Sequence, residues 1–167
     1  MEDTTLAILA DAKVIEAFMS RFTESDGCWT WNGSSRPTGH GHFKYKGLRI
    51  AAYRAAYAIF KGPIPDGLVI DHICHNPKCV NPDHLRAVTQ KQNMENRSGA
   101  HKNSKSGIRG VMWDKKSSKW TVAVRHYGKR YYGGLFTDIR QAEAAAIDLR
   151  NRLFTCNTGD QETSLAA

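Results

Sequence analysis

The chain contains a group of residues with the types and spacing of a zinc site. Cys74, Cys79 and His84 follow one another at equal five-residue steps, through a loop that contains two prolines. Thiolates and an imidazole spaced in this way can converge on one tetrahedral zinc ion, which needs a fourth ligand. Cys28 is the only cysteine upstream, whereas Cys156 lies near the far end, so we expect Cys28 to complete the site. The alternative is a turn-rich loop with buried thiols and a surface histidine.

A histidine directly before this loop has the setting of a general base. His72 follows Asp71 and the apolar residues 68–70, a pattern that predicts the end of a short buried strand. An imidazole titrates near pH ~6.5, so its neutral form can accept a proton from water at physiological pH. Considered alone, His72 fits a hydrogen-bonded core histidine equally well.

A short helix is predicted after the loop, with an asparagine in its first turn. Thr89 and Gln92 form a capping-box pattern, and Asn93 follows them. The side-chain oxygen of Asn93 could ligate a hard cation, and a helix N-terminus favours an approaching phosphate. The alternative is that Asn93 and Asn96 are polar residues on an exposed helical face.

A second helix, upstream of the loop, carries one arginine. Residues 51–60 are rich in alanine and apolar all round, so they predict a buried helix that contains Arg54. Burying a guanidinium without an anion is costly, so Arg54 should reach either a carboxylate or a cleft that receives a phosphate. The residues alone leave both partners open.

Together these motifs resemble the HNH (ββα-metal, or His-Me finger) nucleases, and most of all the homing endonucleases with a zinc loop of the His-Cys box kind. The resemblance covers residues 26–97. It rests on a W-x-W-x-G stretch after a cysteine, a G-x-G-x-F strand, a D-H-x-C-x-N-x-x-C-x-N-P-x-H-L core and a T-x-x-x-N segment, at residues 28–33, 39–43, 71–85 and 89–93.

This resemblance implies a role for each motif residue. It implies His72 as the general base and Arg54 as a phosphate clamp. It implies Asn93, with Asp71, as ligands of a catalytic Mg²⁺ or other divalent cation. The implied structural Zn²⁺ ligands are Cys28, Cys74, Cys79 and His84. Two departures limit the transfer. Many relatives have a histidine where this chain has Tyr53, and Asp71 matches an acid that ligates the metal only in some members.

The expected fold class is α+β, a ββα-metal nuclease module with structural zinc followed by a small three-stranded antiparallel sheet plus one helix. Residues 4–22 have helical spacing, and residues 28–50 predict a small β-ribbon. On that ribbon, His40 and His42 are expected to be polar strand residues or DNA-backbone contacts in preference to metal ligands.

A second module follows a polar, basic linker. Residues 108–113, 119–125 and 129–132 predict three antiparallel strands with a turn at Gly128, and residues 138–154 a helix capped by Thr137. The predicted segments are an N-terminal helical segment (residues 1–25), the nuclease domain (26–97), the linker (98–106), the sheet-plus-helix DNA-binding domain (107–155) and a flexible tail (156–167).

The second module resembles the plant ethylene-response-factor (Apetala-type) DNA-binding domain. Its S-G-x-R-G-V opening and K-W-x-x-x-x-R strand match at residues 106–111 and 119–125. In that family the sheet lies in the DNA major groove, which implies DNA contacts from Arg109, Trp113, Trp120, Arg125, Arg130 and Tyr132. The alternative is a solvated basic face on an ordinary sheet.

Composition bounds the partners and the compartment. A net charge of +8 indicates a polyanionic partner. The acidic first residues do not resemble a signal peptide, and no apolar run is long enough to span a membrane. We therefore expect a cytoplasmic protein that is not secreted. If a phage encodes it, the cytoplasm is that of the host cell.

The function expected from these features is a Mg²⁺-dependent, homing-endonuclease-like enzyme of phage or mobile-intron type that hydrolyses double-stranded DNA. A non-catalytic, zinc-stabilised DNA-binding regulator is the main alternative. An RNA-binding factor fits the charge, but the sequence has no ribonucleoprotein motif. The sequence does not decide between a monomer and a homodimer.

Overall fold

A computed structural model describes residues 3–160 of the chain. The chain divides into two compact units between Asn93 and Met94, four residues before the segment that the sequence predicts as a linker. Each unit has its own hydrophobic core. Within the described residues, no helix combines the length and apolar character that a bilayer span requires. The mixed α+β fold with small antiparallel sheets is confirmed.

The first unit is built from short helices and three two-stranded antiparallel sheets, which pair β1 with β2, β3 with β4, and β5 with β6. In chain order its elements are α1 (Asp3–Leu9), α2 (Ala12–Met19), β1 (Phe22–Ser25), β2 (Cys28–Trp31), β3 (His42–Tyr45), β4 (Leu48–Ala51), α3 (Ala52–Lys61), β5 (Val69–His72), a 3-10 helix (Pro82–His84), β6 (Leu85–Val88) and α4 (Gln90–Glu95). The N-terminal helical segment thus ends at Met19. Met1 and Glu2, which the prediction also assigned to this segment, lie outside the described residues.

The core of the first unit explains the glycine motifs of the sequence. Trp31 is 3 % exposed and its ring centroid lies 5.2 Å from that of the fully buried Phe18. A Cβ added at Gly33 would lie 2.6 Å from Nε1 of Trp31, and one at Gly41 would lie 2.4 Å from its Cδ1. Only glycine leaves room for the indole at both positions, so these two motifs close the core around one tryptophan.

Three hairpins close with two-residue turns in which both residues have positive φ. These turns are 26–27, 46–47 and 127–128, and the second residue is glycine each time. Two successive positive φ values define the turn that matches the twist of paired strands, which fixes the register of each hairpin.

The second unit is a three-stranded sheet covered by one helix. The strands β7 (Val111–Asp114), β8 (Lys119–His126) and β9 (Lys129–Phe136) are ordered β7-β8-β9 and antiparallel, and α5 (Ile139–Leu153) follows. Val111, Val122 and Val124 pack against Ala142, Ala146 and Leu149 of α5. The helix cap differs from the prediction. Asp138, not Thr137, accepts a hydrogen bond from the backbone N–H of Arg140, because the helix begins one residue later than expected.

Residues 154–160, which follow α5, pack within the second unit instead of fraying. Asn157 is 2 % exposed, and Nη2 of Arg150 donates to Oδ1 of Asp160 at 2.8 Å. The backbone N–H of Thr158 donates to Oδ1 of Asn96 at 3.1 Å. The predicted flexible tail therefore does not begin at Cys156, and residues 161–167 of it lie outside the described part.

Candidate active site and metal centre

The four predicted zinc ligands form one cluster. The ligand atoms of Cys28, Cys74, Cys79 and His84 all lie within 4.8 Å of one another. The Sγ atoms of Cys28 and Cys79 are each 3.5 Å from Nδ1 of His84. Structural zinc takes three thiolates and an imidazole at bonds of about 2.0 to 2.3 Å in a tetrahedron, and a cluster of this size fits that geometry. The structure thus has a Cys₃His cluster that could bind zinc.

Backbone pairing positions the cluster. Cys28 is the first residue of β2, and the free edge of that strand bridges the loop at Thr30 and Cys79. The N–H of Val80 donates to the carbonyl of Trp29 at 2.8 Å. The loop that carries Cys79 is thereby fixed to the strand that carries Cys28, although the two cysteines are far apart in sequence.

The cysteines of the cluster favour their protonated form in the absence of a compensating charge. Burial raises the pKa of Cys79 to about 12, and hydrogen bonding to Cys28 contributes in the same direction. Burial also raises the pKa of Cys74. Thiols packed this closely ionise together only when a cation compensates their charge, which is what a bound metal does. The donor set and its packing therefore both fit zinc.

The predicted general base, His72, is attached to this cluster. It is the last residue of β5, and its Nε2–H donates to the backbone carbonyl of Cys79 at 3.1 Å. With the proton on Nε2, the neutral ring carries its lone pair on Nδ1. Desolvation is the largest cause that lowers the pKa of His72, to about 4, so the ring is neutral at pH 7.

Two further rings surround His72, and sequence reasoning missed both. The ring of Tyr53 meets that of His72 in a T-shaped contact with centroids 5.0 Å apart. The ring of His40 lies 5.8 Å from His72 and 5.4 Å from Tyr53. The signal for Tyr53 was its position, since it occupies the place where many HNH nucleases have a histidine. No sequence signal connected His40 to this group.

Asp71 has a partner that the sequence did not predict. It is 5 % exposed, and Nε of Arg86 lies 2.9 Å from its Oδ2. Asp71 and Arg86 are direct partners in the β5–β6 register. The carboxylate is therefore already partly neutralised, and a cation at this carboxylate would share it with a guanidinium.

Asn93 and Arg54 each keep a side chain without a polar partner in the described residues. The capping box forms as predicted, because the N–H of Gln92 donates to Oγ1 of Thr89 at 3.2 Å and the N–H of Thr89 to Oε1 of Gln92 at 3.0 Å. Asn93 lies in the same turn of α4. Arg54 is partly buried on α3, directly after Tyr53, and no carboxylate of residues 5–160 lies within ion-pair distance of it. This weighs against the salt-bridge alternative.

In the second unit, three of the predicted DNA-binding residues share one exposed sheet face. Arg125 and Arg130 are direct cross-strand partners, and Ala123 stands opposite Tyr132. Tyr132 is 70 % exposed, and the guanidinium of Arg130 lies 5.3 Å from its ring centroid. Arg125, Arg130 and Tyr132 therefore form a compact cationic and aromatic surface, which we call the arginine face.

The other three predicted DNA-binding residues do not lie on the arginine face. Arg109 donates to the backbone carbonyl of Glu95 at 3.1 Å and its guanidinium lies 5.6 Å from the ring of Phe154, so it holds the second unit together. Trp120 packs against the core under α5, and the ring of Trp113 meets it in a T-shaped contact with centroids 4.9 Å apart. Strand alternation places Trp120 and its cross-strand partner Trp113 on the side opposite Arg125, whereas Arg109 precedes β7 and lies outside the sheet.

Proteins similar to this chain occur in phages. Residues 51–95 match the sequence model described as HNH endonuclease. Protein 2.8 of Escherichia phage T7 is 33% identical over 108 residues, which cover 62% of this chain and 76% of that protein. The uncharacterized gene 5.3 protein of Enterobacteria phage T3 is 35% identical over 77 residues, which cover 46% of this chain and 69% of that protein. Protein 7.7 of phage T7 is 38% identical over 68 residues.

The match to Protein 7.7 covers 41% of this chain and 52% of that protein, so the chain spans about half of its length. No solved structure matches the chain. The matched segment contains His72, Asn93, Arg54 and three of the four cluster residues. The chain belongs to the phage protein family that includes Protein 2.8 of phage T7, and it carries an HNH endonuclease domain.

Proposed function

We propose that the protein is a metal-dependent endonuclease that hydrolyses phosphodiester bonds in double-stranded DNA, in the manner of homing endonucleases. One observation carries the proposal. Within the HNH-matched segment, a neutral His72 is oriented by the carbonyl of Cys79. A general base needs this combination of a fixed orientation and an unprotonated ring nitrogen.

His72 would act on the water that attacks the scissile phosphorus. Its Nδ1 accepts the proton as the water oxygen forms a bond to phosphorus. The bond between phosphorus and the 3′ oxygen breaks, its electron pair stays on that oxygen, and the oxygen takes a proton from solvent. The products carry 5′-phosphate and 3′-hydroxyl ends.

Asn93, together with Asp71, would hold the catalytic Mg²⁺ or another divalent cation. Amide and carboxylate oxygens are suitable ligands for such ions. When bound, the cation supplies positive charge to the phosphate and the departing oxygen. Asn93 is the stronger candidate, because the carboxylate of Asp71 is already bonded to Arg86.

Arg54 would neutralise an oxygen of the scissile phosphate. No carboxylate in residues 5–160 pairs with its guanidinium, and a partly buried guanidinium needs an anion. The substrate phosphate supplies that anion. A planar guanidinium can also donate two parallel hydrogen bonds to a phosphate, which a lysine cannot.

Zinc in the Cys₃His cluster would be structural. Four protein ligands complete a tetrahedral shell and leave no position for water or substrate. Its role would be to fix the loop whose carbonyl, that of Cys79, orients His72.

The second unit would direct the nuclease to its site. Arg125 and Arg130 stand opposite each other on the sheet, and like charges in that arrangement destabilise the free sheet. An anionic partner removes this cost. We propose that the arginine face lies against duplex DNA, with residues 98–106 as the connection and residues 107–155 as the reading domain.

The experiment that tests this function is cleavage of supercoiled plasmid. With Mg²⁺ we expect nicked or linear products, and with EDTA in excess we expect none. A protein that binds the plasmid but leaves it uncut at every Mg²⁺ concentration would instead be the non-catalytic DNA-binding regulator. The ion pair between Asp71 and Arg86 is the observation that favours this second candidate.

A further inference from the structure

A cationic pocket opens in the first unit between the end of α2, the loop after β2, and β3. Its volume is about 340 Å³, and its lining includes Ser20, Arg21, Ser34, His42 and Lys44. The described residues contribute no carboxylate to the lining. Gly33 also lines the pocket, and a side chain at that position would collide with Trp31. The pocket therefore has the polarity of an anion site.

Arg21 is held in place at the wall of this pocket without losing its charge. Its Nη1–H donates to the backbone carbonyl of Lys44 at 3.1 Å, and its guanidinium lies 5.4 Å from the ring of the buried Phe43. No carboxylate of residues 5–160, whose side chains the structure describes, lies within ion-pair distance of Arg21 or Lys44. A guanidinium has five N–H donors, so an oriented and unneutralised fork remains for an anion.

The charged residues that contact the lining of the pocket in the β3–β4 hairpin and the preceding loop are positive. Lys44 and Arg49 are direct partners in the β3–β4 register, where like charges are destabilising. Arg36 donates from Nε to Nε2 of His42. Desolvation, and after it the charges of Arg36, Arg49 and Lys44, lower the pKa of His42. A bound anion would relieve this repulsion, which gives it a favourable energy that a neutral ligand lacks.

The pocket is close in sequence to the candidate active site. His42 follows His40 by two residues, and the ring of His40 lies 5.8 Å from that of His72. One short segment of chain thus serves both the pocket and the ring group around the proposed base. DNA that presents one phosphate to His72 would carry further phosphates along the same segment.

We propose that the pocket of Arg21, His42 and Lys44 binds a backbone phosphate of the DNA, distinct from the phosphate that is cleaved. This inference rests on the proposed function, because it takes the DNA at His72 as the occupant. The polar, acid-free lining suits a phosphodiester, and no Phe, Tyr or Trp is among the lining residues to offer a base a large ring on which to stack.

The first test compares two lysine variants of the full-length protein by their salt dependence of duplex binding in EDTA. Lys44→Gln removes a cation from the pocket, whereas Lys13→Gln removes an exposed cation of α2 that does not line it. Removing a single phosphate interaction should reduce the slope of log K against log salt by about 0.9 for Lys44→Gln. We expect no such change for Lys13→Gln. Equal slopes in the two variants would overturn the proposal.

The second test locates the phosphate with duplexes in which single phosphates are replaced by neutral methylphosphonates. At one position other than the cleaved phosphate, the methylphosphonate should weaken DNA binding by the wild-type protein. The same replacement should not change DNA binding by Lys44→Gln or Arg21→Gln. If every position has the same penalty in wild type and variants, the pocket does not bind the backbone. Competition by millimolar inorganic phosphate, with no such position, would also contradict the proposal and indicate a free-anion site.

These binding measurements need no cleavage. A wild-type protein that fails to cut plasmid with Mg²⁺ would therefore refute the nuclease function alone. The lysine comparison would decide the pocket separately.

Discussion

The Nε2 atom of His72 lies 3.1 Å from the backbone carbonyl oxygen of Cys79, whose thiol belongs to the Cys₃His cluster. The proposed general base is thus oriented by a proposed zinc ligand, through that ligand's main chain. A metal in the cluster would fix this carbonyl together with the thiolate. Zinc should therefore affect the rate of cleavage without taking part in the reaction.

Replacing Cys79 with Ser should release zinc and lower cleavage by about 10- to 100-fold or more, the range found when groups that orient a site are removed. Elemental analysis and the plasmid-nicking rate measure the two effects. The matched control is Cys156→Ser, since that thiol lies outside the cluster. One zinc per chain retained in Cys79→Ser would mean that the ligand set is wrong.

Tyr53 should position the ring of His72 without contacting the substrate. Aromatic pairs contribute ~0.5 to 1.5 kcal/mol, so Tyr53→Ala should lower the cleavage rate by roughly 2- to 10-fold with little change in DNA affinity. Tyr53→Phe keeps the T-shaped contact and should cleave at the wild-type rate. A loss of rate as large in Tyr53→Phe as in Tyr53→Ala would show that the hydroxyl, and not the ring contact, matters.

Arg54 offers a test of the phosphate clamp against a structural salt bridge. Arg54→Ala should lower cleavage by ~10²-fold or more, the effect of removing one donor that stabilises the transition state, while the thermal unfolding midpoint changes little. Arg54→Lys keeps the charge but not the two-pronged geometry, so its rate should lie between the two. A large drop in unfolding midpoint, with cleavage preserved in the folded fraction, would favour the salt bridge.

The arginine face should determine where DNA is cut. Replacing Arg125 or Arg130 with Ala should reduce discrimination between the preferred site and other sequences by ~1 to 3 kcal/mol for each base interaction that the substitution removes. Lys115→Ala, which removes an exposed cation outside the face, should weaken binding to all sequences alike. Binding titrations with specific and mismatched duplexes measure this. Unchanged discrimination in both arginine variants would exclude base reading by this face.

The parts of the site that sequence reasoning predicted are those with local signals. The spacing of Cys74, Cys79 and His84 limited where their side chains could converge, and the cluster is confirmed as a possible zinc site. The capping box formed because Thr89 and Gln92 are neighbours on one helical turn. In both cases the signal lies within one short segment, and Cys28, which is distant in sequence, was assigned because it is the only cysteine upstream of the loop.

The parts that it missed depend on contacts between distant segments. His40, Tyr53 and His72 come from three separate segments of the chain that pack together. The hydrophobic periodicity of each segment does not predict which segments pack together. The pairing of Asp71 with Arg86 follows from strand register. Arg109 matched a family motif, yet the carbonyl of Glu95 accepts its hydrogen bond, so its surroundings differ from those that the resemblance implied.

The central claim, that His72 is the general base of a nuclease, is tested most directly by one comparison. The rate of Mg²⁺-dependent plasmid cleavage under single-turnover conditions is measured for wild type and His72→Ala, with both proteins saturated by DNA. General-base catalysis supplies ~10² to 10⁴ in rate, so the variant should bind DNA with nearly wild-type affinity and cleave at least a hundredfold more slowly. A His72→Ala protein that cleaves as fast as wild type would contradict the account.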